Sequence, residues 1–464
     1  MSRPIRAADL VVVGGGAAGI SAAQAAAQRG VSVLLVHAGA VGGDCTFTGC
    51  VPSKALIEAA ARGASFETAM AAARSAVRSI AATETPEVLQ RRGVATLEGW
   101  ARLRSPREVD VDGRTVRARR LILATGAGPA IPKIPGLERS PHLTNETIFD
   151  LRRRPASLIV LGGGAVGCEI AQALARLGVT VTVLEAMDRL LGAEEPEASA
   201  AVAAALAADG VRVRVGARAA AVEPVPTGGV TVGLEGRESM AAETLLVAVG
   251  RRPATCGLDL GVAGVQTDAR GFIVTDSRLA TTAPGVYAVG DVAGRLLFTH
   301  AAAAMGRIAA ANALARFPRR RFNPTAIPWV TFTDPEVGRV GMTEAEAAEH
   351  GGRVAFLPMA AVDRAVVAGR TSGFVKLIAG PRPLLRSLGG GRVLGATVVA
   401  ARGGELIHEP ALAMATHMFP GRLALAVHAY PTWSLAIQQA AAQLFVEVGG
   451  RRARPAQARP PGSQ

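Results

Sequence analysis

The strongest constraint on the fold of this 464-residue chain is an internal repeat. Residues 11–37 read VVVGGGAAGISAAQAAAQRGVSVLLVH, and residues 159–185 read IVLGGGAVGCEIAQALARLGVTVTVLE, so the two segments align without gaps. Each contains an apolar run, a Gly-x-Gly-x-x-Gly loop, an alanine-rich helical pattern and a second apolar run. This order predicts a strand–helix–strand unit that binds a dinucleotide, and its occurrence twice in register argues against coincidental glycine-rich loops.

The glycines of the two loops have different structural roles. The first glycine permits the tight turn, the second lets a pyrophosphate approach the backbone, and the third lets the helix pack closely. The helix N-terminus then supplies free amides and a partial positive charge. The predicted cofactor-binding glycines are Gly14, Gly16 and Gly19 in the first unit and Gly162, Gly164 and Gly167 in the second. Two nucleotide sites in one chain predict two nucleotides, FAD and a nicotinamide, and therefore an oxidoreductase.

The last residue of each repeat bears on which nucleotide is bound. Glu185 ends the second unit, where an acidic side chain accepts hydrogen bonds from a ribose and repels a 2′-phosphate, so it favours NADH over NADPH. Arg189 lies close enough in sequence to oppose that preference. His37 stands at the equivalent position of the first unit. A neutral imidazole there can accept a hydrogen bond from a ribose hydroxyl, although we favour the plainer interpretation of a tolerated substitution.

Three further segments predict buried strands that end in glycine turns: LILATGAG (121–128), LLVAVGRRP (245–253) and GVYAVGD (285–291). The first two are interpreted as the strands that close each nucleotide domain. The third is followed by a helical pattern from Thr299 to Leu314, whose N-terminal dipole would stabilise a reduced flavin if it points at the ring. The candidate cofactor-binding residues in these turns are Thr125, Gly126, Gly250, Arg251 and Asp291. Asp291 is expected to bind the ribityl hydroxyls of FAD; the alternative is a loop or helix-capping aspartate.

The chain changes character after about residue 325. Antiparallel strand patterns, a helix from Thr343 and helical patterns over 404–418 and 432–447 predict a separate α+β domain. The last segment, 451–464, is rich in proline and arginine and is expected to be disordered.

Composition excludes several other classes of protein. The net charge of +14 comes almost wholly from arginine, without a long basic run or an aromatic stacking motif, so we expect no nucleic-acid binding. No stretch of about eighteen uncharged apolar residues predicts a membrane span. Four cysteines in so long a chain do not indicate a secreted disulfide scaffold, and we expect a soluble cytoplasmic enzyme.

The segment GGDCTFTGCVPSKAL (42–56) places Cys45 and Cys50 just after the first strand–helix–strand unit. A zinc site would require about four ligands, and the other two cysteines are isolated in other units. Two inert buried thiols are the remaining alternative. The glycines, including Gly43, the helix start and the nearby Lys54 instead favour a lowered thiol pKa. An oxidised pair would accept two electrons from a flavin and relay them by thiol–disulfide exchange.

These motifs, with the C-terminal YPTWS, resemble those of class I pyridine nucleotide–disulfide oxidoreductases, which include lipoamide dehydrogenase, glutathione reductase and mercuric reductase. The resemblance covers about residues 9–448. It implies an α/β fold with two Rossmann-like dinucleotide-binding domains, for FAD and NAD, and a C-terminal α+β dimerisation domain. The implied order is an FAD-binding part (1–150), an NAD(P)-binding domain (151–272), a second FAD-binding part (273–325) and an interface domain (326–450). It also implies a homodimer, with each active site completed by the partner's C-terminal domain.

The resemblance implies a role for each residue of the redox site. Cys50 would lie nearest the flavin as a charge-transfer thiolate, and Cys45 would be the distal cysteine that meets the substrate. Lys54 would pair with Glu169, close to the flavin and the nicotinamide. The alternative for that pair is an exposed lysine and a helical surface glutamate.

The C-terminal motif departs from the family pattern. Lipoamide dehydrogenase and glutathione reductase have a general acid–base histidine before Pro-Thr and a glutamate five residues later, whereas Tyr430 and Leu435 occupy those positions here. A tyrosine with an ordinary pKa near 10 is a poor proton acceptor at neutral pH. Tyr430 resembles the residue of mercuric reductase instead, although a C-terminal cysteine pair that would deliver the ion is absent from the sequence after Cys256. His428 is a possible substitute base that we do not favour.

Three functions remain open at this stage. The leading hypothesis is an NAD(P)H-dependent flavoprotein reductase, with NADH preferred, whose cysteine pair reduces a metal ion, a quinone, an artificial dye or a disulfide. A dihydrolipoamide dehydrogenase is the first alternative, and a redox-silent nucleotide-binding or sensor protein is the second.

Overall fold

The computed structural model describes residues 6–236, 238–317 and 320–458. The chain forms two compact units. Unit 1 comprises the chain up to Pro132, then Leu143–Arg154 and Val249–Pro324. Unit 2 comprises Lys133–His142, Pro155–Ala248 and the chain from Thr325 onward.

Helices and strands both occur throughout the described parts of the chain. The helices are α1 (Ala17–Ala27), α2 (Gly43–Phe47), α3 (Cys50–Ala61), α4 (Phe66–Ala81), α5 (Pro86–Arg91), α6 (Ala165–Arg176), α7 (Pro196–Ala208), α8 (Thr299–Leu314), α9 (Glu344–Ala348), α10 (Asp363–Val367), α11 (Gly403–Leu406), α12 (His408–Ala415), α13 (Pro420–Leu425) and α14 (Leu435–Ala442). The strands are β1 (Ala7–Val13), β2 (Val33–His37), β3 (Ala95–Glu98), β4 (Ala101–Ser105), β5 (Glu108–Val111), β6 (Arg114–Leu123), β7 (Ala127–Pro129), β8 (Ser157–Leu161), β9 (Thr180–Leu184), β10 (Arg212–Arg214), β11 (Ala219–Pro224), β12 (Val230–Leu234), β13 (Ser239–Ala242), β14 (Thr244–Val247), β15 (Arg251–Pro253), β16 (Val286–Ala288), β17 (Trp329–Thr331), β18 (Glu336–Gly341), β19 (Arg353–Pro358), β20 (Phe374–Gly380), β21 (Arg392–Ala400) and β22 (Arg454–Pro455).

Unit 1 is built on a seven-stranded sheet. Six of its strands follow the order β3-β2-β1-β6-β5-β4, and the seventh, β16, pairs with β6. Strands β1, β2, β3, β6 and β16 pair in parallel, while β4 and β5 form an antiparallel extension. The apolar runs of β1 and β2 are buried along most of their length, as expected for parallel strands covered on both faces. The predicted strands at 121–128 and 285–291 therefore lie side by side with the first repeat.

Two helices of unit 1 approach each other unusually closely. A methyl group at Gly306 of α8 would lie 2.3 Å from the carbonyl oxygen of Ala18 in α1, and one at Gly290 would lie 2.9 Å from the Ala18 side chain. Only glycine permits this spacing, so small residues set the position of α8 against α1. Helix α8 has the bounds that its sequence pattern predicts.

Unit 2 contains the second repeat and the C-terminal domain. Strands β10, β9, β8 and β14 form a parallel sheet in that order, and β11, β12 and β13 form a small antiparallel sheet that the sequence pattern did not reveal. The C-terminal part is a six-stranded sheet ordered β17-β18-β21-β20-β19-β22, with every pairing antiparallel. Its apolar face packs with the C-terminal helices into one core.

One buried lysine joins elements of unit 2. Lys376 of β20 is 1% exposed, and its ammonium lies 2.8 Å from Glu197, 3.0 Å from Glu344 and 3.3 Å from Glu195. Glu195 and Glu197 stand at the start of α7, and Glu344 begins α9. Three carboxylates around one ammonium satisfy a charge that burial alone would make very costly.

The segment from residue 451 corrects one expectation. It was expected to be disordered, but its described part, 451–458, contains β22, which pairs with β19, and Arg454 forms an ion pair with Glu344. These contacts outweigh a composition that by itself is typical of disorder. The expected disorder over 459–464 lies outside the described residues.

The predicted domain limits differ from the two units in several places. Residues 133–142, predicted within the first FAD-binding part, lie in unit 2, and residues 151–154, predicted within the NAD(P)-binding domain, lie in unit 1. Residues 249–272 lie in unit 1, whereas the sequence pattern placed them with the second nucleotide domain. The limits of separate nucleotide and dimerisation domains inside unit 2 stay predictions. Among the residues that the structure describes, no helix combines the length and apolarity needed to cross a bilayer.

The packing of α8 on α1 leads to a stability prediction. We expect Gly306→Ala to destabilise the FAD-bound protein by about 1–3 kcal/mol, because its methyl group meets a backbone oxygen that cannot move freely. At an open helical position the same change would stabilise the helix by up to about 1 kcal/mol. Arg307→Ala, at the next and exposed position, is the matched control. Urea unfolding followed by circular dichroism and flavin fluorescence measures both; a Gly306→Ala protein as stable as the control would contradict the packing.

Candidate active site

The first glycine loop is shaped to receive a diphosphate. Gly14 has φ +119°, and a methyl group on it would lie 2.1 Å from the carbonyl oxygen of Ala124, while one on Gly19 would lie 1.9 Å from the oxygen of Gly14. At Gly16 the nearest atom would be the Cα of Gly43 at 3.8 Å, so this face is open. Helix α1 starts there without a side-chain cap among the described residues. The donor set and the open glycine fit the diphosphate of FAD.

The cysteine motif is attached to that loop. The amide of Gly42 donates to the carbonyl of Gly15 over 2.9 Å, and a methyl group on Gly43 (φ +66°) would lie 2.7 Å from the Cα of Gly16. The two loops therefore touch through glycines only. The start of α2 is held beside the predicted diphosphate site.

His37 is buried at the end of β2. Its Nδ1 lies 2.6 Å from the carbonyl oxygen of Gly39. Since a carbonyl only accepts hydrogen bonds, Nδ1 carries the proton, and in the neutral ring Nε2 is the acceptor. This tautomer is compatible with a ribose hydroxyl at Nε2, but the role of His37 in cofactor binding stays a prediction.

Cys45 and Cys50 lie on consecutive helices and interact with each other as free thiols. Cys45 is inside α2, and Cys50 is the first residue of α3. The Sγ atom of Cys50 also lies 3.5 Å from Oγ1 of Thr299, the first residue of α8. The cysteine therefore lies beside two helix N-termini.

The two thiols have different electrostatic surroundings. The hydrogen bond with Cys50, then burial, then the charge of Cys50 raise the pKa of Cys45; a hydrogen bond from Thr299 opposes the rise, and Glu84 adds to it. At Cys50 the N-terminal dipoles of α3 and α8 favour the thiolate. These surroundings favour the predicted assignment, with the charge of the reduced pair on Cys50 and the proton on Cys45, which stays a prediction.

Lys54 and Glu169 belong to different units. Lys54 is half-buried on α3, one helical turn beyond Cys50 and so on the same face. Glu169 is buried on α6, where Oε1 accepts a hydrogen bond from the amide of Phe332 over 2.9 Å. The contact expected between Lys54 and Glu169 stays a prediction.

The remaining turn residues of unit 1 surround Arg251. Gly126 and Gly250 have φ +77° and +138°, and the hydroxyl of Thr125 donates to the carbonyl of Ala254 over 2.7 Å. These contacts accompany the antiparallel pairing of β7 with β15. Arg251, the first residue of β15, forms ion pairs with two carboxylates, Asp44 at 2.6 Å and Asp291 at 3.3 Å.

The second glycine loop in unit 2 repeats the geometry of the first. Gly162 has φ +104°, a methyl group on Gly167 would lie 2.0 Å from its oxygen, and Gly164 faces open space. Helix α6 also starts without a side-chain cap in the described part of the chain. The arrangement fits the diphosphate of a nicotinamide nucleotide.

The two charged side chains beside that loop are oriented differently. Glu185 accepts hydrogen bonds from the amides of Gly163, at 2.6 Å, and Met187, at 2.8 Å. Arg189 donates to the carbonyls of Gly192 and Glu194. The carboxylate therefore lies at the loop, while the guanidinium is engaged by the following segment.

Tyr430 and His428 each have an acidic partner in unit 2. Tyr430 is 72% exposed and donates to Oδ2 of Asp363 over 2.9 Å. This hydrogen bond, and next the charge of Asp363, raise the pKa of Tyr430. His428 has Nε2 at 3.1 Å from Glu409 and Nδ1 at 3.0 Å from the carbonyl of Ala426. Both ring nitrogens lie within hydrogen-bond distance of an oxygen acceptor, so neither is open to a substrate in this geometry.

Sequence reasoning missed four of these residues: Asp44, Thr299, Asp363 and Glu409. Each acts on a residue that the motifs did identify, but from a distant segment of the chain. Asp44 stands inside the cysteine motif, and its charge is the feature of the sequence that could have marked it as part of the site. The partners of Tyr430 and His428 follow no spacing rule.

Comparison with known proteins agrees with this geometry. A family model described as pyridine nucleotide-disulphide oxidoreductase matches residues 8–306, and the dimerisation domain of the same family matches residues 327–441. The dihydrolipoyl dehydrogenase of Thermus scotoductus is 37% identical over 465 residues, covering 94% of this chain and 97% of the relative. The mercuric reductase of Streptomyces lividans is 36% identical over 460 residues, covering 93% and 95%. The Cu(II) complex of the HOCl-induced flavoprotein disulfide reductase RclA from Escherichia coli has a TM-score of 0.86 at 28% identity, covering 94% of this chain and 99% of that one.

The contact between Thr299 and Cys50 leads to a pH prediction. In the thiolate form the hydroxyl donates to sulfur, so Thr299→Val should raise the pKa of Cys50. The long-wavelength thiolate–flavin absorbance of the NADH-reduced protein, titrated with pH, measures this change. Thr299→Ser keeps the hydroxyl and should titrate like the unmodified protein. Identical midpoints for Val and Ser would show that the hydroxyl does not act on Cys50.

Proposed function

The chain belongs to the pyridine nucleotide–disulphide oxidoreductase family, and from this premise we propose that its Cys45–Cys50 pair delivers electrons to a metal ion. The proteins of this family use FAD and a nicotinamide nucleotide, and the chain is such an oxidoreductase. FAD supplies the two-electron link between the nucleotide and the cysteines. The proposal concerns what the reduced pair then reduces.

The hydrogen bond from Tyr430 to Asp363 carries this proposal. Oxidation of a dithiol substrate requires a base that takes the thiol protons, and reduction of a disulfide requires an acid that returns them. Tyr430 is a neutral hydroxyl at pH 7, as any tyrosine with a pKa near 10 is, and Asp363 raises this pKa further. Its one proton is committed to that carboxylate. When the reduced pair closes to the Cys45–Cys50 disulfide it gives up two electrons, which reduce one Hg²⁺ or two Cu²⁺, and the Cys45 proton passes to solvent. The metal product takes up no proton, so such a site needs no acid that returns one.

His428 does not replace the missing base in this proposal. Its side chain is 10% exposed, and both nitrogens lie at hydrogen-bond distance from oxygen acceptors. A proton from a substrate thiol would require one of these contacts to break first. We therefore assign His428 to holding the C-terminal segment through Glu409.

Named relatives support a metal acceptor without settling which ion. Six of the curated relatives found by comparison carry the name mercuric reductase, and two solved neighbours are Cu(II) complexes of one reductase. Hg²⁺ and Cu²⁺ both bind thiolate sulfur, which the reduced cysteine pair presents. Dihydrolipoamide dehydrogenase is the second candidate, because a protein of that name is 37% identical over nearly the whole chain.

The assembly in this proposal is a cytoplasmic homodimer. The match to the family's dimerisation domain over 327–441 supports the dimer. Tyr430, which is largely exposed in one chain, would then reach the cysteine pair of the partner. A cytoplasmic location supplies NADH and keeps the pair reducible.

The identity of the electron acceptor is tested by introducing, at positions 430 and 435, the histidine and glutamate of lipoamide dehydrogenase. We expect the unmodified protein, with NADH, to reduce Hg²⁺ or Cu²⁺ and to turn over dihydrolipoamide with NAD⁺ poorly. The Tyr430→His, Leu435→Glu double variant should gain dihydrolipoamide turnover by about 100-fold or more, the usual contribution of general acid–base catalysis. Leu435 begins α14, where a glutamate is well tolerated by the helix dipole.

The matched control for that experiment is Tyr430→Phe, which removes the hydroxyl and adds no base. It should gain no dihydrolipoamide turnover. Brisk dihydrolipoamide turnover by the unmodified protein would contradict the proposal, and so would the absence of metal reduction under conditions in which NADH reduces the flavin.

Glu185 leads to a separate prediction on the nucleotide. We expect the protein to use NADH with a kcat/KM at least about tenfold above that for NADPH, since a carboxylate at the loop repels a 2′-phosphate. Glu185→Gln removes the charge and keeps one acceptor, so it should narrow the ratio mainly by improving NADPH. Stopped-flow flavin reduction with each nucleotide gives the ratio. A preference for NADPH in the unmodified protein would show that Arg189, not Glu185, governs the site.

A further inference from the structure

Arg251 lies between two carboxylates that come from distant parts of unit 1. Its guanidinium is 2.6 Å from Asp44 and 3.3 Å from Asp291, and the three side chains are 19–30% exposed. The Nε atom is buried and makes no hydrogen bond among the described residues, so its attraction to Asp291 is purely electrostatic. The guanidinium also donates to the carbonyl of Ala127.

Asp44 cannot simply turn away from this pair. Its Oδ1 accepts hydrogen bonds from the side chains of Thr48 and Asn145, the latter over 3.1 Å. Both oxygens of the carboxylate are therefore engaged. The charge has a fixed position on the first turn of α2.

Both carboxylates lie beside the N-terminal region of α1. Asp44 follows Gly43, which packs on Gly16, and Asp291 follows Gly290, which packs on Ala18. Helix α1 starts at this place, and its free amides form the predicted diphosphate site. A diphosphate bound there brings further negative charge next to two carboxylates. Such an arrangement is repulsive unless a cation neutralises them.

The pKa of Asp291 depends on the same neighbouring charges. Burial raises the pKa of its carboxyl, Arg251 lowers it, and Asp44 raises it further. Removing the guanidinium would leave two partly buried carboxylates facing each other without compensation, which is costly.

We propose that Arg251 is a charge-compensating positioning residue, which neutralises Asp44 and Asp291 so that the FAD diphosphate can bind beside them. Its role in cofactor binding is thus indirect, through the carboxylates. A direct role, in which the guanidinium binds the phosphates itself, predicts different behaviour when Asp44 is removed. The inference does not depend on which acceptor the cysteine pair reduces.

A double-mutant cycle on the full chain separates the two roles. The proteins are the unmodified chain, Asp44→Asn, Arg251→Met and the double variant, with Arg252→Met, an exposed neighbour on β15, as the control. Each protein is freed of flavin, and its dissociation constant for FAD is measured by the quenching of flavin fluorescence. Thermal unfolding of the same flavin-free proteins is recorded in parallel.

Charge compensation predicts that Arg251→Met weakens FAD binding about tenfold or more and that Asp44→Asn added to it restores most of the loss. Asp44→Asn alone and Arg252→Met should bind FAD nearly as well as the unmodified protein. A double variant as weak as Arg251→Met would overturn the proposal, since it would show that the charge of Asp44 is not what Arg251 compensates. If Arg251→Met is insoluble, a soluble double variant that binds FAD supports the proposal, and insolubility of both overturns it.

The pH dependence gives a second, independent readout. In Arg251→Met the carboxyl of Asp291 loses the neighbour that lowers its pKa, so protonation of Asp291 on acidification should progressively remove the repulsion and restore FAD binding. The deficit relative to the unmodified protein should therefore shrink as pH falls. A deficit that is constant with pH would indicate a lost phosphate contact and would also overturn the proposal.

Discussion

The close packing of α8 against α1 is the constraint on which the site in unit 1 depends. Gly306 and Gly290 bring α8 and the turn before it to the backbone and side chain of Ala18. One consequence is that α8 begins at Thr299 next to Cys50, and another is that Asp291 lies beside the start of α1. A larger side chain at either glycine would separate the flavin-binding elements from the thiol that is predicted to face the flavin. The position of Cys50 beside α8 therefore depends on glycine at both positions.

The asymmetry of the cysteine pair follows from that geometry. Cys50 lies beside two helix N-termini, whereas the hydrogen bond with Cys50 and burial raise the pKa of Cys45. These surroundings favour a thiolate on the cysteine predicted to face the flavin and a thiol on the cysteine predicted to exchange with the acceptor. The helices that begin at Cys50 and Thr299 therefore support the roles predicted for the two cysteines.

Local sequence patterns were sufficient for the elements whose contacts are local. The two repeats, the strands that close their sheets and α8 all follow from glycine spacing and apolar periodicity, which act within some thirty residues. The small sheet β11–β13 and strand β22 did not, because short strands take their stability from partners such as β19 rather than from their own composition. Sequence patterns could not predict the side-chain contacts around the site, because these contacts join residues that are far apart in the chain. Thr299 contacts a cysteine 249 positions earlier, and Asp363 accepts a hydrogen bond from Tyr430.

The two repeats show how one scaffold serves two nucleotides. Their glycines have nearly the same backbone angles and the same close contacts, so neither loop distinguishes between ligands. The predicted difference lies at the end of the second strand of each repeat, where His37 is a possible ribose acceptor of the first unit and Glu185 the predicted one of the second. In the C-terminal domain, Tyr430 and His428 each lie within hydrogen-bond distance of a carboxylate, Asp363 and Glu409 respectively. Because the hydroxyl of Tyr430 donates to Asp363, this position offers a substrate no proton acceptor, which is consistent with the proposed metal acceptor.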